Sequence, residues 1–157
     1  MSDYHTFLVP YDFSDHARAA LDAAVDLARR LEADIHLLHV VQPPSYSYAP
    51  YGTFAGAAVV LPPANLAEIK RGAQESLREI ASRIEKPPGK VKVHVLESSS
   101  VVDAIQAMAE ECGADLIVMG THGRGGLAHV ILGSVAERTL RHAPCPVLTV
   151  HAKPDAG

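Results

Sequence analysis

The sequence lacks the features that mark several common protein classes. It has no tryptophan and only two cysteines, Cys112 and Cys145, which form no CxxC pair. A disulfide framework or a thiolate zinc site is therefore not indicated. No apolar run approaches the roughly 20 residues of a membrane-spanning helix, so we expect no membrane insertion. Basic residues number 14 against 18 acidic ones, with no long basic run, which argues against nucleic-acid binding.

Local motifs of catalysis and metal binding are also absent. The chain has no Walker A lysine motif, no GxGxxG fingerprint and no GxSxG nucleophile elbow. Its nine histidines show no HxH or HExxH spacing. His36 and His39 stand three apart on a predicted strand and should face opposite sides of a sheet. We therefore expect no catalytic residue and no dedicated metal ligand, and we do not expect an enzyme.

What is present is a chain of 157 residues, 48% of them apolar, with a formal net charge of −4. This length and composition predict a single folded domain over residues 1–157 with a sizeable core. The start of the chain carries an acidic residue where a signal peptide requires positive charge. A cytoplasmic location is the expectation.

Five short apolar runs alternate with longer segments of helical spacing. Strictly alternating strands and helices form a parallel sheet with right-handed crossovers and helices on both faces. We predict an α/β fold with a doubly wound, five-stranded parallel sheet of order 3-2-1-4-5 and a switch point between strands one and four. The predicted strands cover residues 5–11, 34–41, 91–96, 115–120 and 146–151.

Four helices are predicted from apolar residues spaced three and four apart. Ser14 should cap the first helix, and Ser100 the third, which Gly113 ends. The fourth covers residues 134–142. The predicted core stripe of the first helix is Ala17, Ala20, Leu21, Ala24, Val25, Ala28 and Leu31, and that of the second is Leu66, Ile69, Ala73, Leu77, Ile80 and Ile84.

The two outer strands have different patterns. Residues 91–96 alternate between apolar and polar side chains, which indicates a half-exposed edge strand. In the fifth run, residues 147–150 (VLTV) have the apolar character of strands buried on both faces, yet the predicted order places them at an edge. An apolar edge invites pairing with another chain. We therefore expect a homodimer built on Val147, Leu148, Thr149 and Val150.

The segment 42–63 is rich in proline and tyrosine and fits no periodic pattern. It is longer than an ordinary connection between strand and helix. Two interpretations are open: its tyrosines fold over a ligand at the edge of the sheet, or the segment has no functional role.

A glycine-rich stretch, MGTHGRGGLAHVILGSV at residues 119–135, follows the fourth strand and leads into the last helix. Backbone amides of such a loop, together with a helix N-terminus, can bind phosphate oxygens. Within it, Arg124 could neutralise part of a phosphate charge. The alternative is that the glycines only allow the helix to pack on the sheet. Spacing alone leaves both interpretations open.

Gly120, Gly123 and the Gly133–Ser134 pair form the pattern G-x2-G-x9-G-S, which resembles the nucleotide-binding motif of the universal stress protein (UspA-like) family. The similarity extends to LVPYDFSDHARAAL at the start, LLHVV in the second strand, and GSVAERTLRHAPCPVLTV at the end. It implies a flavodoxin-like, adenine nucleotide alpha hydrolase-like fold, a homodimer on the last strand, and membership of the branch that binds ATP.

The resemblance also implies roles for individual positions. Because ATP carries four negative charges, Mg²⁺ is expected with it, held mainly by phosphate oxygens and water. Adenine and ribose contacts are implied for Pro10, Asp12 and Val40, ribose and first-phosphate contacts for Met119 and Gly120, and phosphate contacts for Gly123, Gly133, Ser134 and Val135.

Three functional hypotheses follow. The first is an ATP-binding regulatory protein of the stress response, with slow hydrolysis at most and a protein partner that the sequence does not name. The second is an adenine-nucleotide hydrolase on the same fold, in which Asp12 or His122 would position water. The third is a dimeric interaction module that binds no nucleotide.

Overall fold

A computed structural model of the chain describes residues 3–43, 63–85, 89–122 and 132–152. Strands and helices alternate along it as the sequence predicts. The strands are β1 (Thr6–Pro10), β2 (Asp34–Val41), β3 (Val91–Glu97), β4 (Leu116–Gly120) and β5 (Val147–Val150). The helices are α1 (Asp15–Leu31), α2 (Pro63–Ser82), α3 (Val101–Cys112) and α4 (Ser134–His142).

The five strands form one parallel sheet in the order β3-β2-β1-β4-β5, which confirms the predicted topology. β1 lies at the centre, with Pro10 opposite Leu38 of β2 and Leu8 opposite Ile117 of β4. The direction of winding reverses between β1 and β4. The carboxyl ends of these two strands therefore border the crevice in which open α/β sheets bind ligands.

Each face of the sheet carries its own apolar core, because successive strand residues point to opposite faces. On one face, Phe7 and Val9 pack against α1 and against Leu77 of α2. On the other, Leu8 and Ile117 pack against Ile105 of α3 and against α4. The helices thus cover both faces, as the alternating pattern predicts.

The predicted helix caps are confirmed. The Ser14 hydroxyl accepts a hydrogen bond from the Ala17 amide at 3.1 Å, and Ser100 accepts one from the Asp103 amide at 3.2 Å. Gly113 ends α3 in the left-handed region with φ 63°.

Two members of the predicted core stripes were assigned wrongly. Leu31 is 38% exposed and Ile69 is 47% exposed. Leu31 is the last residue of α1, directly before Glu32, which leaves the helix with φ 55°. The apolar period therefore continues one residue beyond the part of the helix that the sheet covers.

The sheet edges are partly as expected. β3 is half-buried, and Val91, Val93 and Val95 pack against the core on the α1 side. β5 is the opposite edge strand, as the predicted order places it. Its four residues are half-buried or exposed in the single chain, and Leu148 is 40% exposed. Of the strands described, only β4 pairs with β5.

In the described part of the chain, no helix combines the length and apolar character needed to cross a membrane. Gln42 and Pro43 follow β2. The remainder of the proline- and tyrosine-rich segment, with the expectation for its tyrosines, lies outside the described residues.

Candidate functional site

The ends of β1 and β2 place three of the expected site residues side by side. Pro10 is the last residue of β1 and pairs with Leu38. The Tyr11 amide donates to the Leu38 carbonyl at 2.7 Å, so the chain still runs beside β2 one residue after β1 ends. Val40 and Asp12 are both half-buried. The positions expected near adenine and ribose therefore lie at the carboxyl ends of two neighbouring strands.

Asp12 shapes the turn between β1 and α1. One carboxylate oxygen accepts a hydrogen bond from the Ser14 amide at 3.0 Å, while Ser14 itself caps α1. Between them, Phe13 has a φ of 65°, which non-glycine residues rarely adopt. Asp12 thus stabilises the turn instead of capping the helix directly.

Aromatic packing and a histidine hold this turn against β2. The Phe13 ring lies edge-on to Tyr11, with centroids 5.3 Å apart, and 4.9 Å from the ring of His39. Nδ1 of His39 lies 2.7 Å from the Tyr11 carbonyl oxygen. A carbonyl oxygen can only accept, so Nδ1 of His39 carries the proton. From the sequence, His39 was considered only as a metal ligand, and this contact was not predicted.

The end of β4 lies next to the start of α4. Met119 is buried, and Gly120 pairs with Val150 of β5. After the strand, the Thr121 amide donates to the Val150 carbonyl at 3.0 Å. The Thr121 carbonyl accepts a 2.6 Å hydrogen bond from the Gly133 amide. The first residues after β4 and the cap of α4 are thus joined directly.

Two of the motif glycines are required by packing. A Cβ at Gly120 would lie 2.8 Å from the carbonyl carbon and the Cβ of His16. A Cβ at Gly133 would lie 2.9 Å from the Thr121 carbonyl oxygen. Real Cβ atoms essentially never approach other atoms this closely. The packing interpretation of these glycines therefore has direct structural support.

The N-terminus of α4 differs from those of α1 and α3. Its cap is Gly133, which provides no side-chain hydrogen bond to the first turn. Ser134 is exposed at the first helical position. Val135 is half-buried and packs against the cluster that contains Met119, as Val40 does. These three residues give the site an apolar side next to the start of α4.

The structure therefore groups eight of the ten expected site residues at the carboxyl edge of the sheet. They come from the ends of β1, β2 and β4 and from the first turn of α4. Gly123 and Arg124 lie outside the described residues. The grouped residues are Pro10, Asp12, Val40, Met119, Gly120, Gly133, Ser134 and Val135.

A cluster of three histidines lies at the same edge and was missed in the sequence. Nδ1 atoms of His16, His122 and His151 lie 3.4, 3.1 and 3.0 Å from the Thr121 hydroxyl oxygen. Thr121 and His122 are each 8% exposed, His16 is half-buried and His151 is exposed. The three come from the start of α1, the end of β4 and the end of β5. No local spacing rule could have found them.

The electrostatic environment of His16 disfavours its charged form. Burial is the main cause of its lowered pKa, and His151 and His122 lower it further. Asp12 and Asp15 act in the opposite direction. Nδ1 of His16 also accepts a hydrogen bond from the Ala152 amide at 3.1 Å, so the proton of the neutral ring is on Nε2.

The two cysteines are not activated. Burial raises the pKa of both the Cys112 and the Cys145 thiol. Thiolate chemistry requires the opposite shift. Neither side chain lies among the grouped site residues.

Comparison with known proteins identifies the family. The profile of the Universal stress protein family matches residues 3–151. A universal stress protein of Methanocaldococcus jannaschii is 32% identical over 148 residues, which cover 94% of this chain and 82% of that protein.

Two solved structures are similar over nearly the whole chain. The universal stress protein UspA from Lactobacillus plantarum has a TM-score of 0.74 at 28% identity, covering 94% of this chain and 97% of the other. The universal stress protein from Archaeoglobus fulgidus, solved in complex with dAMP, has a TM-score of 0.61 at 25% identity, covering 94% and 98%. By its sequence and its fold, the chain belongs to the universal stress protein family.

Proposed function

We propose that this protein binds ATP together with Mg²⁺ at the carboxyl edge of the sheet and acts as a nucleotide-dependent regulator in a stress response. The observation that carries the proposal is the N-terminus of α4, whose cap residue Gly133 makes no side-chain hydrogen bond to the first turn. It begins at Gly133, beside the ends of β1 and β4, where the winding of the sheet reverses. Backbone amides at such a position are a site for phosphate oxygens.

The contrast among the helices supports an anion at α4. In α1 and α3 a serine hydroxyl accepts a hydrogen bond from an amide of the first turn. In α4 that acceptor is missing from the cap residue. An anionic ligand would satisfy the amides and would also be favoured by the helix dipole.

The remaining grouped residues fit an adenine nucleoside. Val40 and Met119 would contact the base and sugar, and Val135, which packs on the same apolar cluster, would lie near the phosphates. The carboxylate of Asp12 is an acceptor for ribose hydroxyls or the adenine amine. The complex of the Archaeoglobus fulgidus protein with dAMP supports an adenine nucleotide as the ligand class. Bound Mg²⁺ would neutralise part of the phosphate charge.

Slow hydrolysis at most is proposed, because both candidate water-positioning residues have structural roles. Asp12 accepts a hydrogen bond in the turn before α1. His122 is 8% exposed and lies in the histidine cluster. A group held in this way is poorly placed to orient water at a terminal phosphate. These contacts favour binding over turnover.

A second candidate function is an interaction module that binds no nucleotide. The observation that favours it is the packing at Gly120 and Gly133, which explains both glycines without a ligand. The two candidates differ in one measurable property, namely binding of ATP to the folded protein.

Ser134→Pro provides the test. Proline is favoured at the first helical position, and Gly133 already has the extended φ of −71° and ψ of 160° that precede proline readily. The variant should keep α4 while removing one amide donor and the hydroxyl. Ser134→Ala is the matched control, since it removes only the hydroxyl. Calorimetric titration with Mg-ATP should show at least a tenfold greater loss of affinity for the proline variant.

Thermal melts of both variants establish that the fold is intact. If the folded wild type binds no adenine nucleotide, the regulator proposal fails and the interaction module is favoured. If Ser134→Pro binds as tightly as Ser134→Ala, the ligand does not use the α4 terminus. ATP turnover above about one per second would instead favour the hydrolase.

A further inference from the structure

The histidine cluster collects three potential metal ligands around one point. One ring nitrogen from each of His16, His122 and His151 lies within 4.8 Å of the others. The ring centroids are 5.0 to 5.9 Å apart. Three imidazoles that face one another in this way match the donor set of a catalytic or open zinc site, in which three protein ligands leave one position for water.

We propose that His16, His122 and His151 form a binding site for one divalent transition-metal ion, with Zn²⁺ as its natural occupant. Imidazole nitrogen suits zinc, cobalt, nickel and copper, whereas magnesium and calcium require oxygen ligands. The three-residue group contains no carboxylate. The site is therefore different in its chemistry from one for nucleotide-bound Mg²⁺.

The protein backbone positions all three histidines. Gly120 lies against the backbone of His16, which brings the end of β4 beneath the first turn of α1. β4 pairs with β5 from Ile117 to Gly120, and the Thr121 amide extends that pairing to Val150. His122 and His151 thus leave two neighbouring strands at the same level, facing His16.

Metal binding requires a small rearrangement within the cluster. Zinc–nitrogen distances of about 2.0–2.1 Å in tetrahedral geometry place the nitrogens about 3.3 Å apart. The rings must therefore close by about an ångström or less each, which side-chain rotation can supply. If Nδ1 of His16 is the ligand, the metal replaces the hydrogen bond from the Ala152 amide. A metal bonded to the three Nδ1 atoms would also replace their contacts with the Thr121 hydroxyl oxygen, which lies 3.0 to 3.4 Å from each of them.

The site can exchange ions with solvent. His151 is exposed, so an ion can reach the cluster from that side. His122 is nearly buried at 8% exposure, which keeps its ring orientation fixed. With one exposed and two less exposed ligands, a metal ion can enter from solvent on the His151 side and is then partly buried by the other two residues.

The experiment uses the untagged full chain without nucleotide, so its outcome does not depend on the proposed ATP site. Co²⁺ is titrated in and followed by visible absorbance, which is intense for tetrahedral cobalt, and Zn²⁺ is then added in competition. We expect one equivalent of Co²⁺ per chain, displaced by one equivalent of Zn²⁺. His151→Gln should weaken binding at least tenfold, and so should His16→Gln.

His142→Gln is the matched control, because His142 is an exposed histidine at the end of α4, outside the cluster. Its affinity for cobalt should equal that of the wild type. Zn²⁺ should also raise the melting temperature of the wild type and of His142→Gln, but not of His151→Gln, since a ligand stabilises only the state that binds it.

Three outcomes would overturn the proposal. The first is the absence of stoichiometric cobalt or zinc binding to the folded wild type. The second is unchanged affinity in His151→Gln, whose exposed position makes it the variant most certain to fold. The third is a loss of cobalt affinity in His142→Gln equal to that in His151→Gln, which would assign the binding to scattered surface histidines.

Discussion

The end of β4 passes beneath α1 so closely that Gly120 touches the backbone of His16. A Cβ atom on residue 120 would be 2.8 Å from the His16 carbonyl carbon and 2.9 Å from its oxygen. The contact is with backbone atoms, which cannot rotate away as the end of a side chain can. Gly120 is therefore needed for folding whether or not it also contacts a ligand.

Gly120→Ala should lower the free energy of unfolding by about 1–3 kcal/mol, because the added methyl group forces α1 and β4 apart. Gly72→Ala is the control. Gly72 lies within α2, and a methyl group added there would meet no atom within 4 Å, so alanine should raise stability by about 0.5–1 kcal/mol. Urea unfolding measures both. Equal effects of the two substitutions would contradict the close contact.

Thr139→Val should stabilise the protein by about 1 kcal/mol. Thr139 of α4 is fully buried, and its hydroxyl has no hydrogen-bond partner among the described residues. Valine has nearly the same shape and removes the unsatisfied polar group. Thr121→Val is the opposite case. The Thr121 hydroxyl contacts three histidines, so this substitution should lower the stability of the protein. Calorimetric melting of the two variants distinguishes them, and a loss of stability in Thr139→Val would contradict the prediction.

Leu148→Asp should convert a dimer into a monomer. Leu148 is 40% exposed on β5, whose outer edge no described strand covers. A charge on an edge strand opposes pairing with a second chain. Ile69→Asp, on α2, changes an even more exposed apolar residue away from that edge. Sedimentation equilibrium should give a dimer for the wild type and the Ile69 variant only. A monomeric wild type would refute dimerisation through β5.

Stability should decrease in acid through His36 and His94. Their rings are stacked across β2 and β3, with Nδ1 of His36 3.0 Å from Nε2 of His94. Burial lowers the pKa of both. The pKa of His36 is lowered further by His94 and Lys92 and raised by Asp34. The pKa of His94 is raised by Glu111 and lowered by Lys92.

Because the folded-state pKa values lie below the ordinary 6.5, the unfolded chain binds protons more readily as the pH falls. The free energy of unfolding should be steady above about pH 6.5 and decrease below it. His94→Thr should reduce this decrease between about pH 7.5 and about pH 5.5, as measured by urea unfolding. His142→Gln should leave it unchanged. An unaltered pH dependence in His94→Thr would show that the pair is not responsible.

Much of the fold follows from short-range patterns in the sequence. The sequence predicts α1 and α3 correctly from their apolar period, their N-caps Ser14 and Ser100, and the C-cap Gly113 of α3. These signals are local, since each acts within one helical turn. The strand order follows from alternation and chirality rules. The pattern fails at Leu31 and Ile69, since an apolar side chain does not specify whether another element covers it.

The site was predicted less completely, for a physical reason. Pro10, Asp12 and Val40 were grouped through the family resemblance, and the structure places them at one edge because parallel strands end there. The histidine cluster joins residues 16, 122 and 151, which are far apart in the chain, and only the packing of Gly120 on α1 brings them together. His39 was missed because its role is a contact with the Tyr11 backbone, which leaves no trace in side-chain spacing.

The hydrogen bond between the Gly133 amide and the Thr121 carbonyl fixes where the intervening chain departs and where it returns. Both anchor points belong to the sheet-and-helix framework and lie on the same rim. Lengthening a chain between fixed anchors costs little, about 0.6 kcal/mol for each doubling of its length. The stretch between these anchors can therefore change in length at little cost in folding free energy while the strands and helices that hold the anchors stay in place.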